Sequence, residues 1–263
     1  MNIFLHELKS YRKSLLIWSL CLILLIWMGI IEFLSSKGSN SLSELYNNLP
    51  PSLKALMGGG DFNVETAIGY YSVLFIYIEL IVVIHAALLG VGIISKEEKD
   101  KTIEFLLTRP LSRNSVLISK TLATFVLILI LNIVILLASI IIFNTNSDES
   151  IISELMKLMV GMLFLQILFG SFGLFIASLR KQAKSSGSIV LGIVLGMFIM
   201  SILADLHKSL HFLRHLTPFR YFDAKTLLLE SGFKLIYIFI CIILTTAFLL
   251  LSHYFYNKRD LSL

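Results

Sequence analysis

Charge is what this sequence has least of. Of its 263 residues only 15% are charged, 57% are hydrophobic, and the mean hydropathy is +0.87. A soluble domain carries about 25% charged residues, so composition alone excludes an ordinary water-soluble fold. Cysteine is nearly missing. Cys21 and Cys241 both fall inside apolar runs, which excludes a disulfide framework and a thiolate metal cage. No Gly-x-x-x-x-Gly-Lys-Ser/Thr stretch occurs, and the triple glycine Gly58–Gly60 lacks the lysine and hydroxyl that a phosphate cradle needs. Neither a G-x-S-x-G elbow nor an H-E-x-x-H helix is present to arrange hydrolytic chemistry. The opening "MNIFLHELKSYRK" is too long and mixed for a signal-peptide n-region, and the run after it is too long for an h-region.

What the chain has instead is oil in long runs. Spanning hydrocarbon as a helix takes about 20 residues at roughly 1.5 Å each. Six runs meet that length: Leu15–Leu34, Ile68–Ile94, Val116–Phe143, Leu155–Leu179, Ser188–Ala204 and Leu235–Tyr256. Helices are expected because a lipid-exposed backbone must satisfy its own hydrogen bonds. The fold class is an all-α polytopic membrane protein, a single transmembrane domain over 1–263. The fifth run carries Gly192 and Gly196, a GxxxG pair suited to close helix packing. Residues 1–14 form an arm in which Ile3, Phe4, Leu8 and Tyr11 recur near helical spacing, with Glu7, Lys9, Arg12 and Lys13 on other faces. Two readings stand: an amphipathic helix on the membrane surface, or an extension of the first span. The first outer loop, Ser35 to Ala67, reads as two short helical pieces separated by Pro50-Pro51 and closed by the glycine turn.

Lysine and arginine set the orientation. Lys9, Arg12 and Lys13 precede the first span. Lys96, Lys99, Lys101, Arg109, Arg113 and Lys120 follow the second, Arg180, Lys181 and Lys184 follow the fourth, and Lys258 and Arg259 close the chain. All of these lie on one side, so both termini are expected in the cytoplasm. Lys37, Lys54, Lys157, Lys208, Arg214, Arg220, Lys225 and Lys234 are left on the other side, five of them between spans five and six. The net charge of +5 therefore belongs largely to topology, and no nucleic-acid partner is expected.

The most polar stretch is "KEEKDKTIEFLLTRPLSRNSVLISK", Lys96 to Lys120, with ten charges in 25 residues. Ile103, Leu106 and Leu107 form an i, i+3, i+4 stripe on a predicted helix that opens with Glu97 and Glu98. Pro110 ends it, since the residue before a proline disfavours helical geometry, and Ser112 is placed to cap the third span. A short amphipathic helix of this kind suits docking on a protein; a solvated loop helix that merely reverses the chain is the plainer reading.

These residues resemble the cytoplasmic signature of permease subunits of type-2 ATP-binding-cassette exporters. In that family acidic residues precede Thr-x-Glu-x-Leu-Leu, then Pro-x-Ser-Arg and a lysine at the start of the next span. Thr102, Glu104, Leu106, Leu107, Pro110, Ser112, Arg113 and Lys120 fall on the pattern, and Lys101 stands where the family usually has glycine. "LTPFRYFDA" before the last span is similar to the family too. The resemblance implies that 96–120 holds a coupling helix between spans two and three. Its ATPase-facing residues would be Glu97, Glu98, Thr102, Ile103, Glu104, Leu106, Leu107, Arg109, Pro110 and Arg113. It implies ATP-binding-cassette ATPase subunits as partners, with ATP and magnesium held there and no cofactor in this chain. It further implies a second permease subunit, as homo- or heterodimer, a multi-pass place in a bacterial plasma membrane, and no enzymatic activity of the chain's own.

Ionisable groups inside spans are costly, about 2.5–3.5 kcal/mol for an acid at mid-membrane. Glu79, His85, Asn132 and Gln166 are the candidates for a substrate path. The structural alternative is an interhelical hydrogen bond from Glu79 or His85 to Asn132 or Gln166, or a protonated carboxyl. His207, His211 and His215 recur at i, i+4 spacing, which permits a shared metal ion. Leu206, Leu210 and Leu213 instead mark the same stretch as a helix at or dipping into the outer interface, and no metal is expected. A polytopic membrane enzyme, or a non-transporting sensor or scaffold, is the alternative function.

Overall fold

The computed structural model describes residues 3–36, 46, 48–57, 62–99, 112–146, 150–180, 183–206, 210, 212–230 and 232–258. Helices α1 (Ile3–Ser36), α3 (Ala67–Lys99), α4 (Arg113–Asn146), α5 (Ile152–Leu179), α6 (Ala183–Leu206) and α8 (Leu235–Lys258) dominate. Between them stand the short α2 (Pro51–Leu56) and α7 (Leu213–Leu216). Six helices are long and apolar enough to cross a membrane, and no strand occurs among the described residues. The chain is an all-α, multi-pass membrane protein. Each span extends a turn or so past its apolar run, because polar turns continue the backbone ladder after the hydrocarbon requirement is met.

The first span extends furthest. α1 is one helix of 34 residues, so the described part of the arm is continuous with the first span, the second of its two readings. Nothing between Lys13 and Leu15 breaks a helix, as neither glycine nor proline occurs there. At roughly 1.5 Å per residue the helix is about 51 Å long, well beyond a hydrocarbon core of about 30 Å.

The centre of the bundle is the α3–α5 seam. A Cβ on Gly90 would stand 2.2 Å from the Gly170 carbonyl oxygen, and one on Gly173 would stand 2.2 Å from that of Ala87. Small residues let two backbones touch where lipid supplies no hydrophobic drive to hold helices together. Side-chain hydrogen bonds stitch the other seams: Tyr71 to Ser139 at 2.8 Å between α3 and α4, and Ser178 to Ser252 at 2.8 Å between α5 and α8. In α5, 61% of the most apolar stretch is buried, against 11% in α8, so α8 keeps most of its surface for lipid.

Thr66 caps α3, its hydroxyl accepting the Gly69 N–H at 3.1 Å. Proline begins α2, where the missing N–H costs nothing. The glycine turn after α2 lies outside the described residues.

Of the stretch expected as an interfacial helix, Leu206 to Leu213, residues 207–209 and 211 lie outside the described residues. α7 is only four residues long, and Pro218–Arg220 then forms a 3₁₀ turn and Lys225–Leu229 a π turn. Phe219, Tyr221 and Phe222 are buried. Phe222 stacks on Phe164 with centroids 5.3 Å apart, and Gly161 leaves room for it. The aromatic payload draws the segment into the bundle. Thr217 donates to the Met197 carbonyl at 2.8 Å, satisfying an oxygen of α6.

Candidate functional site

Of the charged stretch 96–120, the described residues are the last turn of α3, Ser112 and the first turns of α4. The base of the stretch is built by three helices. On α1, Glu7, Ser10 and Tyr11 share a face by i, i+3, i+4 spacing. Gly92 of α3 makes space for Tyr11, whose hydroxyl lies 3.0 Å from the position of a Cβ there. Lys96 of α3 donates to Ser10 Oγ at 2.8 Å and pairs with Glu7 Oε2 at 3.4 Å. Lys120 of α4 donates to Glu7 Oε1 at 3.0 Å and to the Ile93 carbonyl. Glu7 and Lys120 are each only 1% exposed, whereas the Lys96 side chain is 24% exposed. One buried carboxylate therefore ties the start of the chain to both roots of the segment. Ser112 caps α4 as expected, accepting the Ser115 N–H at 3.2 Å, and Arg113 donates to the Asn257 carbonyl of α8 at 3.3 Å.

Of the residues assigned to ATPase contact, Glu97 and Glu98 fall in the last turn of α3 and Arg113 opens α4. Thr102, Ile103, Glu104, Leu106, Leu107, Arg109 and Pro110 lie outside the described residues. Sequence reasoning put Glu7 on a polar face of the arm and missed its role. The available signal was a lone acid among Lys9, Arg12 and Lys13, with lysines at the adjoining ends of two spans.

A second polar cluster lies toward the opposite end. Arg220 pairs with Asp205 and, at 2.6 Å, with Asp223, and donates to the Ser201 carbonyl at 2.9 Å. Asp205 also holds Arg214 at 2.9 Å. Burial pulls the Arg214 guanidinium pKa down, but the Asp205 carboxylate outweighs it and the net direction is upward, so Arg214 keeps its charge. Burial likewise lifts the Tyr221 phenol above its usual range, so it remains the donor to the His215 carbonyl. A cavity of about 20 Å³ adjoins this cluster, lined by Ser72, Glu79, Ser201, Arg220 and Asp223 among apolar neighbours. It has room for one water, which needs roughly 10–15 Å³. Glu79 is 2% exposed, and its Oε1 has no partner among the described residues.

The path candidates do not share one space. Asn132 donates to Gln166 Oε1 at 3.0 Å and to the Met159 carbonyl at 3.2 Å, fastening α4 to α5. His85 rests against Trp18 of α1, with centroids 5.1 Å apart. Glu79 faces the small cavity instead. His207 and His211 lie outside the described residues, and His215 Nδ1 stands 3.4 Å from the Tyr237 hydroxyl.

Six spans, a charged segment anchored at both roots, and an aromatic segment folded back before the last span describe one kind of membrane subunit. The family model described as ABC-2 family transporter protein matches residues 1–261. The chain belongs to that family. Comparison with curated proteins returns no match. Membrane subunits of ABC-2 transporters generally work with ATPase subunits and dimerise.

Proposed function

We propose that this ABC-2 family chain is the transmembrane subunit of an ATP-driven exporter. It sits in the plasma membrane as one unit, 1–263, with both termini cytoplasmic. Residues 96–120 dock on a separate ATPase subunit that holds ATP and magnesium, and this chain supplies the path without chemistry of its own. The observation that carries the reading is the Glu7 junction. A push on the segment reaches α1, α3 and α4 together, as coupling requires. The orientation rests on the Lys and Arg count, with Lys9, Arg12, Lys13, Lys96, Lys99, Lys101, Arg109, Arg113, Lys120, Arg180, Lys181, Lys184, Lys258 and Arg259 on the side of the termini.

Leu106→Asp tests the docking. If Leu106 fills a groove on the ATPase, an aspartate there buries a charge without a partner, costing several kcal/mol. The ATPase is expected to be lost on purification, or to hydrolyse ATP uncoupled from transport, while the six spans still insert. Copurification with normal transport overturns the docking role. A wild-type chain fully active alone points instead to a membrane enzyme.

Dimerisation with a second permease subunit is assigned to α6. Gly192 and Gly196 lie one turn apart, and no described atom comes within 4 Å of a Cβ built on either. That flat strip fits a second helix of the GxxxG kind. Gly196→Leu is expected to shift the chain from dimer to monomer by light scattering, without changing the monomer's melting temperature. An unchanged dimer assigns the interface elsewhere.

A further inference from the structure

We propose that the cavity between α1, α3 and the residues flanking α2, at the end opposite the termini, binds an organic ammonium group. The cavity measures about 250 Å³ and is lined by Glu32, Tyr46, Leu49, Met57, Tyr70 and Tyr77, with valines and a leucine behind them. Its α3 wall is Tyr70, Val73, Leu74 and Tyr77, an i, i+3, i+4, i+7 stripe that holds the two phenols on one face two turns apart. Gly29 sets the floor. A Cβ there would stand 2.7 Å from Leu74 Cδ2, so α1 and α3 touch one turn below Glu32 and open above it. Glu32 is the one charged residue in that lining and shares it with Tyr70.

Aromatic faces carry negative electrostatic potential, and a cation above them is attracted most when it is poorly hydrated. Three tyrosines, one carboxylate and an apolar remainder suit an alkylated ammonium better than a metal ion, which needs several oxygen ligands. Anions are disfavoured by the same groups. The chain already makes such a contact with its own cation: Lys54 Nζ lies 5.6 Å from the Tyr46 ring centroid. Tyrosines near a membrane surface commonly form an aromatic belt. These differ in converging on a half-open space with a carboxylate. Two sources share the chemistry, a free amphiphilic amine and the head of a phospholipid. The proposal is independent of the coupling assigned to residues 96–120.

The test is choline binding to the full chain in phosphatidylglycerol nanodiscs, read by calorimetry against 3,3-dimethyl-1-butanol, its uncharged isostere. Saturable choline binding is expected, with the isostere at least about tenfold weaker. Glu32→Gln and Tyr70→Leu are each expected to weaken choline by about tenfold or more. Glu32 is exposed, so its variant folds whatever becomes of Tyr70. Choline binding abolished in phosphatidylcholine nanodiscs identifies the lipid head as the source, and unchanged binding identifies a free amine. Equal binding of choline and the isostere, no saturable binding, or an unaffected Glu32→Gln variant overturns the proposal.

Discussion

Gly173→Val is expected to leave no folded, monodisperse protein. A Cβ on Gly173 would stand 2.2 Å from the Ala87 carbonyl oxygen and 3.1 Å from the Val91 nitrogen, both backbone atoms. A side chain in conflict with another side chain can change rotamer. Backbone in conflict with backbone requires a whole helix to move. Moving α3 from α5 also opens the neighbouring contact at Gly90, whose Cβ position is 2.2 Å from the Gly170 carbonyl oxygen. The cost therefore exceeds the roughly 1–3 kcal/mol of ordinary overpacking. Size-exclusion chromatography in mild detergent checks it, with aggregate or lost expression as the expected result. Gly187→Ala is the control, since a Cβ there meets only Leu88 Cδ2, at an ordinary contact distance of 3.8 Å. A monodisperse Gly173→Val protein with the wild-type melting temperature would refute the close seam.

Glu7→Gln is expected to destabilise the chain by about 3–5 kcal/mol, the usual cost of removing one partner from a buried ion pair. The variant leaves Lys120, 1% exposed, facing Lys96 with no carboxylate between them. Lys96→Met should cost much less, because Lys96 is 24% exposed and solvent screens its pairing. Lys120→Met falls between, since Glu7 keeps Lys96 as a partner. Combining Glu7→Gln with Lys120→Met should recover part of the loss, and a double-mutant cycle on thermal denaturation measures how much. Additive losses would mean that the two groups do not interact. Because the pair joins α1 to both roots of the charged segment, the double variant should also lower transport per ATP hydrolysed, even where stability recovers.

The spans were legible because lipid imposes a one-dimensional rule. About 20 consecutive apolar residues are needed wherever a helix crosses, and that rule needs no knowledge of neighbours. The run Val116–Phe143 already locates α4, Arg113–Asn146, to within a turn at each end. Ser112 was readable as a cap for a similar reason, since capping is local to four residues. The five basic residues between spans five and six were a puzzle in the sequence. Asp205, fifteen residues from Arg220, pairs with it only once the segment folds back.

Sequence by itself determined the class of protein, the six crossings and the family pattern over 96–120. Each of these depends on composition or on spacing within one stretch of chain. Tertiary structure alone decided what the polar residues do. Glu7 and Lys120 are 113 residues apart, and no periodicity predicts that two charges will be buried together. Asn132 and Gln166 were read as candidates for a path, and the α4–α5 contact turns them toward each other. Glu32, Tyr46 and Tyr70 come from three separate stretches of chain, and only the α1–α3 approach at Gly29 makes them walls of one cavity. In a membrane the apolar majority is interchangeable from lipid to core, so hydropathy places a helix but not its rotation. Rotation is decided by the few glycines and polar side chains that must meet a partner across a seam.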